Sequence, residues 1–289
     1  MNRRGRLREA LTAYGMLLPS LVVFGVFFFY ALYRLVYLGL HQQNRTGTAE
    51  RFVGFSQFTE VLGGAEFRSG LWISMQYVLW TVPAGLVLGV LLAVAAHRRL
   101  RGIRFFQTVF ASTVATSVAV ASVIFFVMLN PIVGYIGTVP FIDLADPASA
   151  IRGVALSSVW QNLGLTFIIV LAGLQAIPEE LVEAATVDGY GPVRRFFTVT
   201  LPLLSPTMLF LVVVLTVFAL QAFAQVDILT QGGPAGSTET LVFKIFRLGQ
   251  EPVNVSTGAV MAIGLFLVTL VVALGQFLLL NRRVHYGDR

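Results

Sequence analysis

Long apolar stretches alternate with short polar ones along the chain. Six of the apolar stretches contain no Asp, Glu, Lys or Arg, and they lie at residues 14–33, 71–96, 105–129, 154–176, 205–226 and 258–280. Each can form a helix that crosses a hydrocarbon core of about 30 Å, which takes about 20 residues. An ionised side chain at mid-bilayer costs at least about 2.5 kcal/mol, so its absence is typical of lipid-embedded helices. The pattern predicts an all-α integral membrane protein with six transmembrane helices.

The basic residues indicate how these spans are oriented. With the N-terminus in the cytoplasm, thirteen of the twenty Lys and Arg residues fall in cytoplasmic segments and seven fall outside. An excess of basic residues on the cytoplasmic side is the usual orientation signal. We therefore predict that both termini are cytoplasmic. The polar segments are too short to form independent domains, so residues 1–289 are predicted to form a single transmembrane domain.

Composition agrees with a protein whose main surroundings are lipid. Hydrophobic residues make up 56% of the 289 residues and charged residues only 12%, whereas soluble domains carry about 25% charged residues. The net charge of +6 comes from clusters between apolar blocks, which indicate topology rather than a nucleic-acid partner. Cysteine is absent, which excludes disulfides and thiolate metal sites.

The longest predicted cytoplasmic segment, residues 177–204, separates the fourth and fifth spans. Pro178 suits the first position of a helix, where its missing N–H is not needed. Gly189 is a natural stop for that helix, and Pro192 can start a second one that ends in the turn before Pro202. The segment is predicted to form a helix–turn–helix at the membrane surface.

The first helix of this segment has a face suited to a protein partner. Residues at positions i, i+3, i+4 and i+7 share that face, and they are Leu181, Ala184, Ala185 and Asp188. Two alanines let a helix approach a partner closely, and Glu183 and Arg194 could fix its orientation by charge pairing. The alternative is an amphipathic linker on lipid headgroups, but that would require a basic polar face. The acidic first helix favours docking.

The same segment resembles a known family. Glu183-Ala184-Ala185, then Asp188-Gly189, then Leu201-Pro202 resemble the EAA signature of ABC-importer permeases. Segments 104–107, 189–197 and 227–241 are similar to the sugar and glycerol-phosphate group of that family, and the similarity extends over residues 14–283. The resemblance implies the type I importer permease fold, in which this loop forms coupling helices held by an ATP-binding subunit. It assigns ATPase coupling to Glu183, Ala184, Ala185, Asp188, Gly189, Arg194 and Pro202.

The resemblance also implies a set of partners in a bacterial inner membrane. These are a second homologous permease, two ATP-binding subunits and an extracytoplasmic solute-binding protein. The sequence itself indicates that the energy for transport comes from another subunit. The chain has no GxxxxGK[ST] phosphate loop, and its spans lack the carboxylates and histidines that ion-coupled carriers use. This subunit is expected to be no enzyme and to hold no cofactor, with ATP and Mg²⁺ bound by its partners.

A few uncharged polar side chains lie within the spans. Gln221 and Gln225 are one helical turn apart, on a face that leads towards Asp227. The candidates for a solute pathway are Trp160, Gln161, Asn162, Gln221, Gln225 and Asp227. The alternative is that these groups only hydrogen-bond between helices. Arg152, at the outer start of the fourth span, is either a contact for a phosphate-bearing solute or an interfacial anchor.

Together with these observations, the resemblance implies the permease subunit of an ABC importer that forms, with a second permease, the pathway for glycerol-3-phosphate or a glycerophosphodiester. A permease for a di- or oligosaccharide is the main alternative. A secondary carrier or a membrane scaffold is a more distant one. Uptake that needs no ATP would indicate a carrier, and deletion without a transport defect would indicate a scaffold.

Overall fold

A computed structural model describes residues 3–43, 50–97, 102–130, 132, 134, 136, 139 and 141–282. Apart from one two-stranded antiparallel hairpin, all regular elements in these residues are helical. The first half of the chain contains α1 (Arg3–Phe24), α2 (Ala31–Leu40), β1 (His41–Gln43), β2 (Glu50–Phe52), α3 (Ser56–Gly63), α4 (Ala65–Ala96), α5 (Ile103–Ala111) and α6 (Val118–Leu129). The second half contains α7 (Ala150–Gln175), α8 (Glu179–Val187), α9 (Pro192–Arg195), α10 (Leu201–Leu203), α11 (Ser205–Leu220), α12 (Ala224–Leu229), α13 (Leu241–Gln250) and α14 (Val255–Asn281).

Shorter turns of other helix types join several of these elements. Gly25–Tyr30 and Phe196–Thr200 are π-helical, while Ser112–Ala115 and Pro252–Asn254 are 3₁₀-helical. The chain divides into two compact units, Met1–Gly64 with Ile245–Gly264 and Ala65–Lys244 with Leu265–Arg289. The predicted coupling segment and the candidate pathway residues all belong to the second unit. Some residues that entered the orientation prediction lie outside the described residues, namely Arg45, Arg98, Arg99, Arg101 and residues 283–289.

Four helices in the described part of the chain are long and apolar enough to cross a membrane by themselves: Thr12–Leu40, Ala65–Ala96, Ala150–Gln175 and Pro252–Asn281. Two further candidates are bent pairs, Ile103–Ala115 with Val118–Leu129 and Pro192–Leu203 with Ser205–Leu220, so there are up to six if each pair is one span. An all-α protein with several membrane-spanning helices is thus confirmed. The exact count of six remains a prediction.

The third predicted span is broken, so the prediction of one continuous helix over residues 105–129 is wrong. Its two halves meet at 103°, and Thr116 and Ser117 between them are extended, with ψ angles of 127° and 151°. The Ser117 hydroxyl accepts a hydrogen bond from the Val120 N–H at 3.3 Å and caps α6. Serine and threonine compete with helical hydrogen bonds in this way, which explains the break.

The fifth predicted span, residues 205–226, is also interrupted. Helix α11 ends at Leu220, and Gln221 follows with φ −100° and ψ 6° before α12 begins at Ala224. The Ala222 N–H donates to the Ala219 carbonyl at 3.3 Å, so the last turn tightens before the chain leaves the helix. Gln221 and Gln225 therefore lie in different elements, and the prediction that they share one helix face is wrong.

Close helix contacts in the second unit depend on glycines. Helix α4 packs extensively against α7. A Cβ atom on Gly89 of α4 would overlap the Thr166 side chain, and one on Gly164 of α7 would overlap Thr113. Without a hydrophobic driving force between helices in lipid, such small residues allow the backbones to approach. The packing places the middle of α7 against both α4 and the end of α5.

Candidate functional site

The predicted coupling segment forms two short helical arms. Its first arm, α8, carries Glu179 and Glu180 in the first turn, where the positive end of the helix dipole favours carboxylates. Pro178 is the N-cap residue, with φ −57° and ψ 130°, rather than the first helical residue that we predicted. This difference of one residue leaves the predicted arm in place.

Gly189 ends α8 in a left-handed conformation, with φ +78°. The Tyr190 N–H donates to the Ala185 carbonyl at 3.0 Å, and the Gly189 N–H donates to the Thr186 carbonyl at 3.1 Å. These two bonds form a Schellman motif, whose glycine position other residues occupy only with strain. A Cβ atom at Gly189 would meet no atom within 4 Å. The backbone angle, rather than crowding, therefore requires glycine here.

The second arm is longer than predicted. It runs from Pro192 through Leu203 and then bends by 69° into α11, so the prediction that it ends before Pro202 is wrong. Within the π-helical turn the hydrogen bonds reach one residue further, and the Leu201 N–H donates to the Phe196 carbonyl. The wider turn accommodates Pro202, which would otherwise clash with a carbonyl of the preceding turn.

Contacts between the arms fix the hairpin. The Arg195 guanidinium donates from Nη1 to the Thr186 hydroxyl at 2.7 Å, and the Arg194 guanidinium lies 4.3 Å from the centroid of the Tyr190 ring. Ala185 is buried, with 6% of its surface exposed, where α8 packs against the π-helical turn. The two alanines therefore differ, because Ala185 supports the hairpin while Ala184 is exposed.

The outer surface of the hairpin combines carboxylates with exposed apolar side chains. Glu183 and Asp188 are exposed. The exposed fraction is 88% for Val187 and 72% for Val193. Leu181 is also exposed. The predicted docking face contained Leu181, Ala184, Ala185 and Asp188, and the inclusion of Ala185 is wrong because its side chain is buried inside the hairpin. Large exposed apolar side chains near carboxylates make this hairpin a candidate surface for another protein. We call Leu181, Glu183, Ala184, Val187, Asp188 and Val193 the coupling surface.

The structure brings some of the predicted pathway residues together. The Gln225 amide on α12 donates from Nε2 to Gln161 Oε1 on α7 at 3.2 Å. The Trp160 ring lies 5.8 Å, between centroids, from the ring of Phe125 on α6. Helix α6 in turn packs against α12. Trp160, Gln161 and Gln225 therefore lie where α6, α7 and α12 meet.

The other three candidates are separate from this cluster. Asn162 donates its side-chain amide to the Ser158 carbonyl of its own helix at 3.0 Å. Gln221 is exposed at the end of α11, where the helix breaks. Asp227 is half-buried in the first turn of α12, two residues beyond Gln225 and thus on another side of the helix. Only Gln221 of these three presents a free amide beside irregular backbone.

Sequence reasoning missed a buried polar contact behind the cluster. The Tyr77 hydroxyl on α4 hydrogen-bonds the Ser158 hydroxyl on α7, and both residues are buried. The one sequence signal for this contact is that Tyr77 and Thr81, four residues apart, place two hydroxyl groups on one face of an apolar helix. Gln276 on α14, by contrast, donates to the Thr216 hydroxyl at 3.0 Å. This bond between helices agrees with a structural role.

Comparison with known proteins places the chain among membrane transport components. A family model described as "Binding-protein-dependent transport system inner membrane component" matches residues 85–286. The sn-glycerol-3-phosphate transport system permease protein UgpA of Agrobacterium fabrum (strain C58) is 33% identical over 281 residues, which cover 95% of this chain and 96% of that protein. UgpA of Brucella suis biovar 1 is 34% identical over 281 residues, with the same coverage of both chains.

Solved structures share the fold. A chain from a bacterial ABC transporter involved in the import of the acidic polysaccharide alginate aligns with a TM-score of 0.81 and 20% identity, covering 96% of this chain and 98% of that chain. A second structure of an alginate ABC transporter, in complex with a periplasmic protein bound to an alginate pentasaccharide, gives a TM-score of 0.80. The predicted permease fold is thereby confirmed in its overall architecture.

Proposed function

The chain belongs to the inner membrane components of binding-protein-dependent transport systems, and we propose that it imports sn-glycerol-3-phosphate or a glycerophosphodiester. It is a permease subunit of an ABC importer and not an enzyme, since ATP hydrolysis belongs to a separate subunit. The names of relatives that are 33–34% identical over 95% of the chain support the proposed solute. The coupling hairpin is the single observation that carries the proposed mechanism.

We propose that the spans number six and that both termini are cytoplasmic. The bent pair of α5 and α6 is then one crossing and α11 continued by α12 is another, in addition to the four long helices. The first half of the second bent pair, Pro192–Leu203, is instead the second arm of the hairpin. The excess of basic residues in the predicted cytoplasmic segments supports this orientation. It places the hairpin of α8 and α9–α10 in the cytoplasm of a bacterial cell, at the inner membrane.

In this orientation the coupling surface docks into a cleft of an ATP-binding subunit. The acidic α8 and its exposed apolar side chains suit a protein groove better than anionic headgroups. The Schellman turn at Gly189 and the Arg195–Thr186 bond connect the two arms. Closure of the ATP-binding subunits upon ATP binding then moves the hairpin, which transmits the motion through Pro202 and the bend at Leu204 to α11.

The pathway lies beside the two interrupted spans. Non-helical backbone at membrane depth is tolerated where it is buried in protein or lines a water-filled cavity. The breaks at Thr116–Ser117 and Gln221–Phe223 are two such places, and the helices that follow them, α6 and α12, pack against each other. Gln221, Trp160 and the Gln161–Gln225 pair supply amides and an indole for the hydroxyl groups of a polyol. Asn162 and Asp227 lie apart from this cluster and contribute less to contact with the solute.

The working importer contains four further subunits. A second homologous permease completes the wall of the pathway, two ATP-binding subunits drive it, and an extracytoplasmic solute-binding protein delivers the solute. The family description and the alginate transporter in complex with its periplasmic protein support this kind of assembly.

The test is uptake by the purified assembly in proteoliposomes. We expect labelled sn-glycerol-3-phosphate to accumulate only with internal ATP and with the solute-binding protein outside. Competition by unlabelled glycerophosphodiesters, and none by maltose, would support the proposed solute. Accumulation of maltose instead would favour the sugar importer. Uptake driven by a proton or sodium gradient without ATP would contradict the mechanism.

A further inference from the structure

An arginine at the start of α7 lies on an aromatic platform. The Cζ atom of Arg152 is 4.3 Å from the centroid of the Phe141 ring and 5.8 Å from that of Trp80. The two rings meet edge to face, with their centroids 5.7 Å apart. Ring faces attract a guanidinium group and hold its plane in place. Both rings remain exposed, Phe141 by 53% and Trp80 by 40%, so the platform is accessible from outside the helix bundle.

The nearest carboxylates in sequence are committed to other partners. Asp143 Oδ1 accepts a hydrogen bond from the Ala145 N–H at 2.8 Å. Asp146 accepts one from the Ala148 N–H at 3.2 Å and one from the Ser149 hydroxyl at 2.9 Å. Within the described residues, the buried Nε of Arg152 has no hydrogen-bond partner. An unpaired donor is costly to bury, and nothing in the described part of the chain occupies this one.

The chemistry of this site suits a phosphate ester. A guanidinium group presents a planar fork of donors that matches phosphate oxygens. Arg152 also lies in the first turn of the 26-residue helix α7, whose positive dipole end favours an anion. We propose that Arg152, Trp80 and Phe141 form a phosphate-ester binding site at the outer end of α7. The ester is either the solute or a lipid headgroup, and the first source rests on the proposed function.

Thermal unfolding of the assembled importer in nanodiscs of phosphate-free glycolipid tests the site directly. We expect 10 mM sn-glycerol-3-phosphate to raise the Tm by about 2–4 °C and 10 mM glycerol to leave it unchanged. The shift is expected to disappear in Arg152→Gln and to persist in part in Arg152→Lys, which keeps the charge. Arg68→Gln, which removes an exposed arginine of α4, is the matched control and keeps the full shift.

A second arm separates the two sources of phosphate. Phosphatidylglycerol added to the nanodiscs raises the Tm in wild type and not in Arg152→Gln if the site holds a headgroup. A shift with phosphatidylglycerol alone assigns the site to lipid, and a shift with sn-glycerol-3-phosphate assigns it to solute. The proposal is overturned if neither compound stabilises the wild type, or if Arg152→Gln retains the shift.

The uptake assay distinguishes this proposal from the proposed function. If the wild-type importer accumulates no sn-glycerol-3-phosphate, the proposed solute is wrong. The Tm measurements then still decide whether Arg152 binds a phosphate ester. If uptake is normal and Arg152→Gln keeps the full Tm shift, the proposed site is wrong and the proposed importer function stands.

Discussion

The coupling hairpin and the polar cluster inside the spans differ in what holds each of them. The hairpin is stabilised by local contacts, such as the Schellman bonds around Gly189 and the Arg195–Thr186 bond nine residues apart. The cluster depends on contacts between distant segments, such as Gln161 with Gln225, 64 residues away. The proposed coupling element can therefore be read from a short sequence window. The proposed pathway depends on how separate helices break and pack.

The largest effect on uptake should come from a substitution at Gly189. This change tests the hairpin, which is held by local contacts. Gly189→Val places a β-branched residue at φ +78°, where left-handed backbone costs roughly 1–2 kcal/mol or more. We expect ATP-dependent uptake to fall by about tenfold or more while ATP hydrolysis and membrane insertion persist.

Gly191→Val is the matched control for this change. Gly191 has φ −64° and ψ 162°, which any residue adopts, and a Cβ atom there meets nothing within 4 Å. The Gly191→Val variant should therefore retain uptake near the wild-type level. Wild-type uptake by Gly189→Val would show that the turn does not couple the two activities.

A substitution where α4 approaches α7 tests the contacts between segments that are distant in sequence. Gly89→Val would force the added atoms into Thr166, and overpacking typically costs about 1–3 kcal/mol. We expect a lower Tm and less assembled complex in detergent. Gly275→Val on α14, where a Cβ atom meets nothing within 4 Å, should leave both unchanged, and equal losses in the two variants would refute the packing account.

Breaking the Gln161–Gln225 bond should have a smaller effect on stability. Hydrogen bonds between transmembrane helices contribute about 0.6 kcal/mol on average. A double-mutant cycle with Gln161→Ala and Gln225→Ala measures this coupling by unfolding. If the amides also face solute, uptake at saturating solute falls more than stability accounts for. A loss of uptake that simply follows stability would assign the pair to packing.

The smallest effect is expected at the bond between the hairpin arms. Arg195→Gln removes an exposed charge-assisted bond to Thr186, and exposed pairs contribute about 1 kcal/mol or less. Uptake should decrease by no more than about threefold, and Thr186→Val should add little to that loss. A loss as large as that of Gly189→Val would mean that Arg195 contacts the ATP-binding subunit itself.

The features that sequence could predict are those that a few adjacent residues determine. Apolar blocks without charges gave the membrane-spanning helices, and the pair Asp188-Gly189 gave the end of α8 at its correct position. The arm through Pro202 was predicted too short, because a π-helical turn that accommodates a proline has no recognised local signature.

The two helix breaks could not be found in the same way. Gln221, Ala222 and Phe223 include no glycine or proline, so the apolar period continues across the break. Thr116 and Ser117 carried a faint capping signal within an apolar run. The burial of Ala185 likewise depends on the second arm folding back, which spacing along one helix does not reveal.

The central claim is that an ATP-binding subunit covers the coupling surface, and labelling of a single cysteine tests it most directly. The chain has no cysteine, and Val187 is 88% exposed, so Val187→Cys offers one reactive thiol. In inside-out vesicles stripped of ATP-binding subunits, we expect rapid labelling by a membrane-impermeant maleimide and strong protection when those subunits are restored. Equal labelling with and without them, or labelling from the outside of intact cells, would contradict the account.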